Sequence, residues 1–342
     1  MICDRIPVIS VCIANYNGAG LAEACIDSVL AQDFPQEVEI IVHDDASTDG
    51  SADLISAVYP QVRLLRSAEN VGFCVANNRM VAEARGGYVL LLNNDAVLFK
   101  DALASLYSEA KKLQQQAILS LPQYAYEGGE LIDNGCLLDP FFNPVPNLDL
   151  RRRDVAMVIG ACLWLPKKLW EELGAFPEWF ESIAEDMYLC CRARLSGYPV
   201  LALGESGYRH RAGASFSGDG RARDGQFATT FRRRALSERN KTFVMAMICP
   251  IPFVQMVLPL HLMLLFIEGA LLSILRGRTT YLRRIYLPVF AALFRRRSQL
   301  RVGRSAIMKN RHLASADFFS VFDPLPYKLR MLIRYGLPVV RG

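Results

Sequence analysis

The sequence predicts an α/β fold built on a doubly wound, mostly parallel sheet, followed by a basic and apolar helical extension. Three observations predict it. Short β-rich runs alternate with helix-length segments over the first third of the chain, the βαβ pattern of a parallel sheet. A polar cluster follows each run, which is where ligands bind in such sheets. Towards the C-terminus the composition shifts to apolar runs studded with arginine. The 342 residues carry 39 Lys+Arg against 34 Asp+Glu, and 52% of them are apolar, which excludes a disordered chain. The 23 Gly and 17 Pro follow no fixed period, which excludes a collagen-like one. The length suits two domains, expected at 1–240 and 241–342.

The elements follow in order. Pro7–Ile13 reads as the first strand, and Leu21–Ala31 as a helix with Leu21, Ala24, Cys25, Ser28 and Val29 on one face. Val38–Val42 is the second strand, Ser51–Val58 a helix after Asp49-Gly50, and Val62–Leu65 the third strand. Phe73–Ala84 is a helix closed by Gly86-Gly87, Tyr88–Leu92 the fourth strand, and Ala102–Gln114 another helix. Much later, Glu185-Asp186 open a helix that runs to about Ser196 and stops at Gly197.

The strands end in ANYNG, HDDASTDG, ENVG and NND. None is a G-x-G-x-x-G turn and no G-x-x-x-x-G-K-[ST] occurs, so dinucleotide and P-loop phosphate sites lack their fingerprints. What remains is a rim of Asp and Asn, side chains suited to a base edge, ribose hydroxyls and a hard divalent cation bridging phosphates. Asp44-Asp45 also suit a plain turn, and acidic residues at 185 and 186 also suit a helix N-terminus for dipole reasons alone. His210 lies in the basic stretch YRHRAGAS, where it is either a ligand or a surface histidine.

In family order, these runs resemble glycosyltransferase family 2. ISVCIANYNG is similar to the family's opening strand, HDDASTDGS to its second-strand signature, and ENVGFCVANN to the loop and helix that follow. LLNNDAVL resembles the strand carrying the metal-binding D-x-D element. GACLWLPKKLWEELGAFPEWF and AEDMYLCCRARLSGYPV resemble the acceptor-side helix and the Glu-Asp motif. The resemblance runs from about Val8 to Ser215 and is nearest in style to bacterial rhamnosyltransferase-like members. It implies a GT-A fold, a Rossmann-like, mostly parallel sheet that binds a nucleotide-diphospho-sugar.

By position, the resemblance implies that Asn15, Asp44, Asp45 and Asn94 contact the nucleotide sugar, and that Gly72 and Asn78 line the diphosphate–sugar pocket. It implies Asp95 and His210 as holders of Mg²⁺ or Mn²⁺, with Asn93 replacing the first acidic residue of D-x-D and so weakening metal affinity. It implies Asp186 as general base, with Glu185 orienting it or the acceptor. Arg192 and Arg194 on the same helix could pair or reach phosphate, and Pro177 stands where the family has an acidic residue. The implied reaction is inverting sugar transfer to a hydroxyl of a lipid-diphosphate-linked glycan acceptor in cell-surface polysaccharide assembly. The rivals are a sugar nucleotidyltransferase, which would carry a glycine-rich basic loop after its first strand, and a non-catalytic nucleotide-sugar-binding scaffold.

The C-terminal third has its own logic. Thr242–Ile267 is apolar and uncharged, interrupted by Pro250, Pro252 and Pro259, and from Gly269 to Ala316 there is no acidic residue but many arginines. Arg232, Arg233, Arg234 and Arg239 flank the near side, so a single crossing would leave one basic cluster outside, against the positive-inside tendency. Ile285–Phe294 is too short to make a second crossing. Broken helices on an anionic membrane surface are expected, with a buried helical subdomain as the alternative. Nucleic acid is not expected, because the arginines alternate with apolar runs. Nine cysteines without a Cys-x-x-Cys pair point to a reducing compartment. The apolar run after Asp4 and Arg5 is too short for a signal peptide, so the expected location is the cytoplasmic membrane face.

Overall fold

In the computed structural model, residues 6–211, 228–336 and 339–341 are described. The chain divides into two compact units. Unit 1 comprises 1–136, 146–193 and 198–215, and unit 2 comprises 137–145, 194–197 and 216–342.

Unit 1 begins with β1 (Ile9–Asn15), α1 (Ala22–Leu30), β2 (Val38–Asp44), α2 (Ser51–Val58), β3 (Arg63–Arg66), α3 (Phe73–Glu83), β4 (Tyr88–Asn93), β5 (Ala96–Leu98) and α4 (Ala102–Lys112). It continues through β6 (Ile118–Ser120), β7 (Gln123–Ala125) and β8 (Leu131–Asp133). The short strands β9 (Cys136–Leu138) and β10 (Pro144–Pro146), most of whose residues are assigned to unit 2, pair with each other. β11 (Cys162–Pro166), α5 (Lys167–Leu173), α6 (Glu185–Leu195), β12 (Val200–Ala202) and β13 (Tyr208–His210) follow.

The main sheet has seven strands in the order β12-β6-β11-β4-β1-β2-β3. β1 runs parallel to β2 and β4, β2 to β3, and β6 to β12, while β11 alone is reversed. The central strands are buried on both faces, as continuous runs such as Val11-Cys12-Ile13 and Val89–Leu92 require. One face packs on α1 and α4 through Ile9, Val11, Ile13, Ile26, Leu103 and Trp164. A second sheet, β5-β13-β7-β8, brings residue 210 back beside residue 96. The strands β1, β2 and β4 reach one or two residues further than their apolar patterns, so Asn15, Asp44 and Asn93 close them from inside the hydrogen-bond ladder. The described cysteines are unpaired and buried.

Unit 2 is largely helical: α7 (Phe231–Ile248), α8 (Phe253–Leu275), a π-helical turn Leu282–Tyr286, α9 (Leu287–Arg295), α10 (Arg297–Lys309), α11 (Ser315–Phe319) and α12 (Tyr327–Tyr335). Two short strands, β14 (Ala228–Thr230) and β15 (Val339–Arg341), pair in parallel. α7 starts on a Thr230 N-cap, whose hydroxyl accepts from the Arg233 amide, and it runs through residue 240 without a break. The apolar stretch Thr242–Ile267 is two elements rather than one. Pro250 and Pro252, which cannot donate to a helix, end α7 and begin α8. Its first half is buried, Phe243, Val244, Met245 and Ile248 among its residues, whereas much of its second half is exposed.

A cluster of charges holds unit 2 from within. Glu238 of α7 pairs with Lys241 at 2.8 Å and with Lys328 of α12. Lys328 also meets Glu268 of α8 at 2.8 Å, and Glu268 pairs with Arg234. Lys241 donates to Asn143 Oδ1 at 2.6 Å, and Thr242 Oγ1 lies 2.9 Å from His261 Nε2. Burial alone would raise the Glu238 pKa, but Lys241, Lys328 and Arg234 overcome that and hold it well below the ordinary 4.5. The stabilisation is therefore present above the unfolded value and is lost as pH falls through the depressed folded one. Glu238→Ala leaves Lys241 and Lys328 facing each other without their shared counter-ion. It is expected to destabilise unit 2 by about 3–5 kcal/mol. Urea unfolding followed at neutral pH and again at about pH 3 checks this: the loss should shrink on acidification, and an equal loss at both pH values would contradict the assignment.

Candidate active site

The rim begins where β1 and β2 end in register, Asn15 opposite Asp44. Both side chains are almost fully withdrawn from water, as are those of Asp45, Asn94 and Asp95. Buried polar groups need partners, and here they supply one another. Asn15 Nδ2 donates to Asp44 Oδ1 at 2.9 Å and to Ser51 Oγ at 3.0 Å, while Asn94 Nδ2 donates to Asn15 Oδ1 at 3.0 Å. The Ser47 amide donates to Asp44 Oδ2 at 3.1 Å. Gly18 comes so close to this junction that a Cβ there would lie 2.2 Å from Asn15 Oδ1 and 2.3 Å from Asn94 Nδ2.

Asp45 faces the loop instead. Its carboxylate accepts the amides of Val71 at 2.6 Å and Gly72 at 2.9 Å, fixing the entry to α3. Gly72 has φ +87°, a region that side chains rarely adopt, so its identity follows from the backbone. Asn78 is on α3, and both ends of its amide are engaged by Phe176: Nδ2 donates to the Phe176 carbonyl at 3.0 Å and Oδ1 accepts its amide at 3.1 Å. In this structure Asn78 clamps the segment ahead of α6.

The second cluster lies just beyond β4. The β13–β5 pairing carries His210 beside Asp95, with Nε2 3.0 Å from Asp95 Oδ1 and 3.5 Å from Asn93 Nδ2. The Arg211 amide donates to the Asp95 carbonyl at 3.0 Å. The GAS run at 213–215 lies outside the described residues. Asn93 Oδ1 is buried and has no protein partner. Among the described residues no three His, Cys, Asp or Glu side chains gather at one point. The set here is one carboxylate, one imidazole and one amide oxygen. These donors fit a hard divalent cation that takes its remaining ligands from diphosphate and water, and the orphaned Asn93 oxygen is the observation that favours the fit.

Asp186 opens α6. Its Oδ2 accepts the Gly160 amide at 3.0 Å and its Oδ1 the Met187 amide at 2.7 Å. Burial lifts its pKa above the ordinary carboxylate value, and these amides only partly offset that. One residue after Gly160, the Ala161 carbonyl accepts the Asn93 amide at 3.1 Å, which places Asp186 against the carboxyl end of β4. Asp44, Asp95 and Asp186, 142 positions apart from first to last, therefore belong to one rim, joined through Asn15, Asn94, Asn93 and Gly160. Glu185 is buried beside Asp186. The approach to α6 is unusual: Glu181, Ile183 and Ala184 all have positive φ, at 66°, 71° and 67°. Arg192 donates to the Tyr188 hydroxyl at 3.1 Å, and Arg194 is buried.

Sequence reasoning passed over Ser47 and Ser51, although both stand inside the DDASTDGS run whose acids were singled out. It also passed over Gly160, whose only signal was its place at the head of GACLW, and the free oxygen of Asn93.

Comparison with known proteins bears on the fold and the family. The profile of glycosyl transferase family 2 matches residues 10–174. Hyaluronan synthase of Pasteurella multocida is 29% identical over 191 residues, which are 54% of this chain and 19% of that protein. The chain thus spans about a fifth of the length of that relative. Among solved structures, the mannosyltransferase PcManGT from Pyrobaculum calidifontis, in complex with GDP-Man and Mn²⁺, superposes with TM-score 0.53 at 18% identity, covering 90% of this chain and 86% of that one. S. aureus TarS 1–349 in complex with UDP-GlcNAc superposes with TM-score 0.54 at 18% identity, covering 88% of each chain. At these identities the superpositions speak for the fold alone. The profile match over residues 10–174, just under half of the chain, and the GT-A architecture make this chain similar to glycosyltransferase family 2.

Proposed function

We propose that this chain transfers a hexosyl group, with inversion, from a nucleotide-diphospho-sugar to a hydroxyl of a lipid-diphosphate-linked glycan, at the cytoplasmic face of a membrane, in the assembly of a cell-surface polysaccharide. A dTDP- or UDP-sugar is the expected donor, with dTDP-rhamnose among the candidates. The observation that carries the reading is the continuous hydrogen-bonded path from Asp44 through Asn15 and Asn94 to the end of β4, with Asp186 held over the same strand end by Gly160.

In this mechanism Asn15 and Asp44 receive the nucleoside, and Asp45 keeps the Val71-Gly72 amides in place at the start of α3. Asp95, His210 and Asn93 would hold Mg²⁺ or Mn²⁺, as their donor atoms fit. When bound, the ion supplies charge neutralisation for the departing diphosphate. Asp186 accepts the proton of the acceptor hydroxyl as its oxygen bonds to the anomeric carbon. The bond from that carbon to the diphosphate breaks at the same time, and the nucleoside diphosphate leaves. One displacement inverts the anomeric centre, and no second protein nucleophile is needed. The raised pKa of Asp186 makes it a stronger base than a solvated aspartate.

A panel of UDP-, dTDP- and GDP-sugars, with and without Mn²⁺ and with a lipid-diphosphate acceptor, tests the function directly. Product from none of them would sink it. Asp186→Asn is expected to lower kcat by about 10²–10⁴-fold with little change in nucleotide affinity. For the unaltered enzyme, kcat/KM should fall tenfold per pH unit below the raised Asp186 pKa, because the base must be ionised. Undiminished turnover by Asp186→Asn removes that residue as the base. Gly18→Ala drives a methyl group into the Asn15–Asn94 bond and should weaken nucleotide binding at least tenfold. Titration calorimetry with the nucleotide that the parent enzyme binds checks it, and unchanged affinity would place the nucleotide elsewhere.

A further inference from the structure

We infer that α8 lies in the plane of the membrane, its outer face sunk into an anionic leaflet, and does not cross it. The inference rests on the membrane reading above and assigns the surface that makes the contact. α8 is, by length and composition, able to span a bilayer: its 23 residues measure about 35 Å. Its two faces differ sharply. Met256, Leu260, Met263, Ile267, Leu271 and Ile274 recur at intervals of three or four and are all exposed, Met256 and Ile274 by more than 70%. No charged residue interrupts this stripe. The opposite face, at His261, Leu265, Glu268, Gly269 and Leu272, packs within unit 2.

The inner face decides against crossing. Glu268 near one end of that face pairs with Arg234 of α7 and Lys328 of α12, and His261 two turns earlier meets Thr242 of α7. α8 is thus tied along its length to a helix carrying Arg234, Glu238 and Lys241. A crossing would take that cluster through the hydrocarbon, at a large cost in lost hydration. An in-plane helix keeps it on the aqueous side, and only the apolar stripe enters lipid.

Charge selects the partner. Directly after α8 come Arg276, Arg278, Arg283 and Arg284, then Arg297 and Arg301, all exposed, in the stretch that has no acidic residue. Such a belt beside an apolar face is complementary to anionic headgroups. A second copy of the chain fits less well, because a two-fold contact through this face would set one arginine belt near the other. α12 adds exposed Leu329, Leu332 and Ile333.

Flotation of the full chain with vesicles, without donor or acceptor, tests the surface separately from the transfer reaction. The chain is expected to float with phosphatidylcholine–phosphatidylglycerol vesicles and at least tenfold less with phosphatidylcholine alone. Met263→Glu combined with Ile267→Glu should cut that binding at least tenfold while leaving the thermal melt and nucleotide affinity unchanged. Arg276→Gln with Arg278→Gln should remove most of the preference for phosphatidylglycerol. Orientation is read by adding Gln255→Cys or Thr279→Cys in a Cys3→Ser background and treating sealed vesicles from outside with a membrane-impermeant maleimide. Labelling of both positions supports the in-plane helix, and protection of one of them overturns it. Binding unaffected by the glutamates, no binding to either vesicle, or a dimer that the glutamates dissociate would each overturn the lipid assignment. An inactive enzyme that still floats would count against the transferase reading alone.

Discussion

Five polar side chains, Asn15, Asp44, Asp45, Asn94 and Asp95, are almost wholly removed from water at the ends of three strands, and the rest of the rim is arranged around that burial. A buried carboxylate without partners is strongly unfavourable. The parallel sheet solves this by ending β1 and β2 in register, so that an amide faces an acid, and by returning β13 beside β5, so that an imidazole faces another. Charged hydrogen bonds of this kind stabilise by about 1.5–3 kcal/mol each. They fix side chains before any ligand arrives, and preorganised groups lose little on binding. The polar rim of unit 1 is therefore set first by backbone register, with the turns after the strands carrying Asp45, Asn94 and Asp95.

The same rule, that polar groups stay paired and apolar ones seek their own kind, shapes unit 2 differently. There the ions are inside, among Arg234, Glu238, Lys241, Glu268 and Lys328, and a broad apolar surface is outside. A soluble monomer seldom exposes so continuous a stripe. The inversion is intelligible if the outer medium of α8 is not water.

Much of the first unit could be read from the sequence, because its signals are local. Apolar runs of three to five residues that end within two residues at an Asn or Asp mark β1, β2 and β4, and the acids that follow them lie at one rim. What could not be read depends on distant pairing. Nothing near Asn78 announces that Phe176, 98 positions away, will take up both ends of its amide. Nothing in Thr242–Ile267 separates its buried half from its exposed half except the prolines between them. The Glu238–Lys328 pair spans 90 positions and joins helices whose relation no periodicity encodes. Gly160 is legible only once Asp186 stands above it.

The three residues of positive φ ahead of Asp186 have a mechanical meaning. Conformations of this kind are unfavourable by about 1–3 kcal/mol each, and Ile183, branched at Cβ, is poorly suited to one. The peptide leading to Asp186 is thus held under strain. It is latched by the Cys74 amide on the Glu181 carbonyl and by the Gly160 amide on Asp186 itself. Those two hydrogen bonds hold in place a backbone whose intrinsic preference lies elsewhere, so the start of α6 is fixed by its neighbours and not by its own residues.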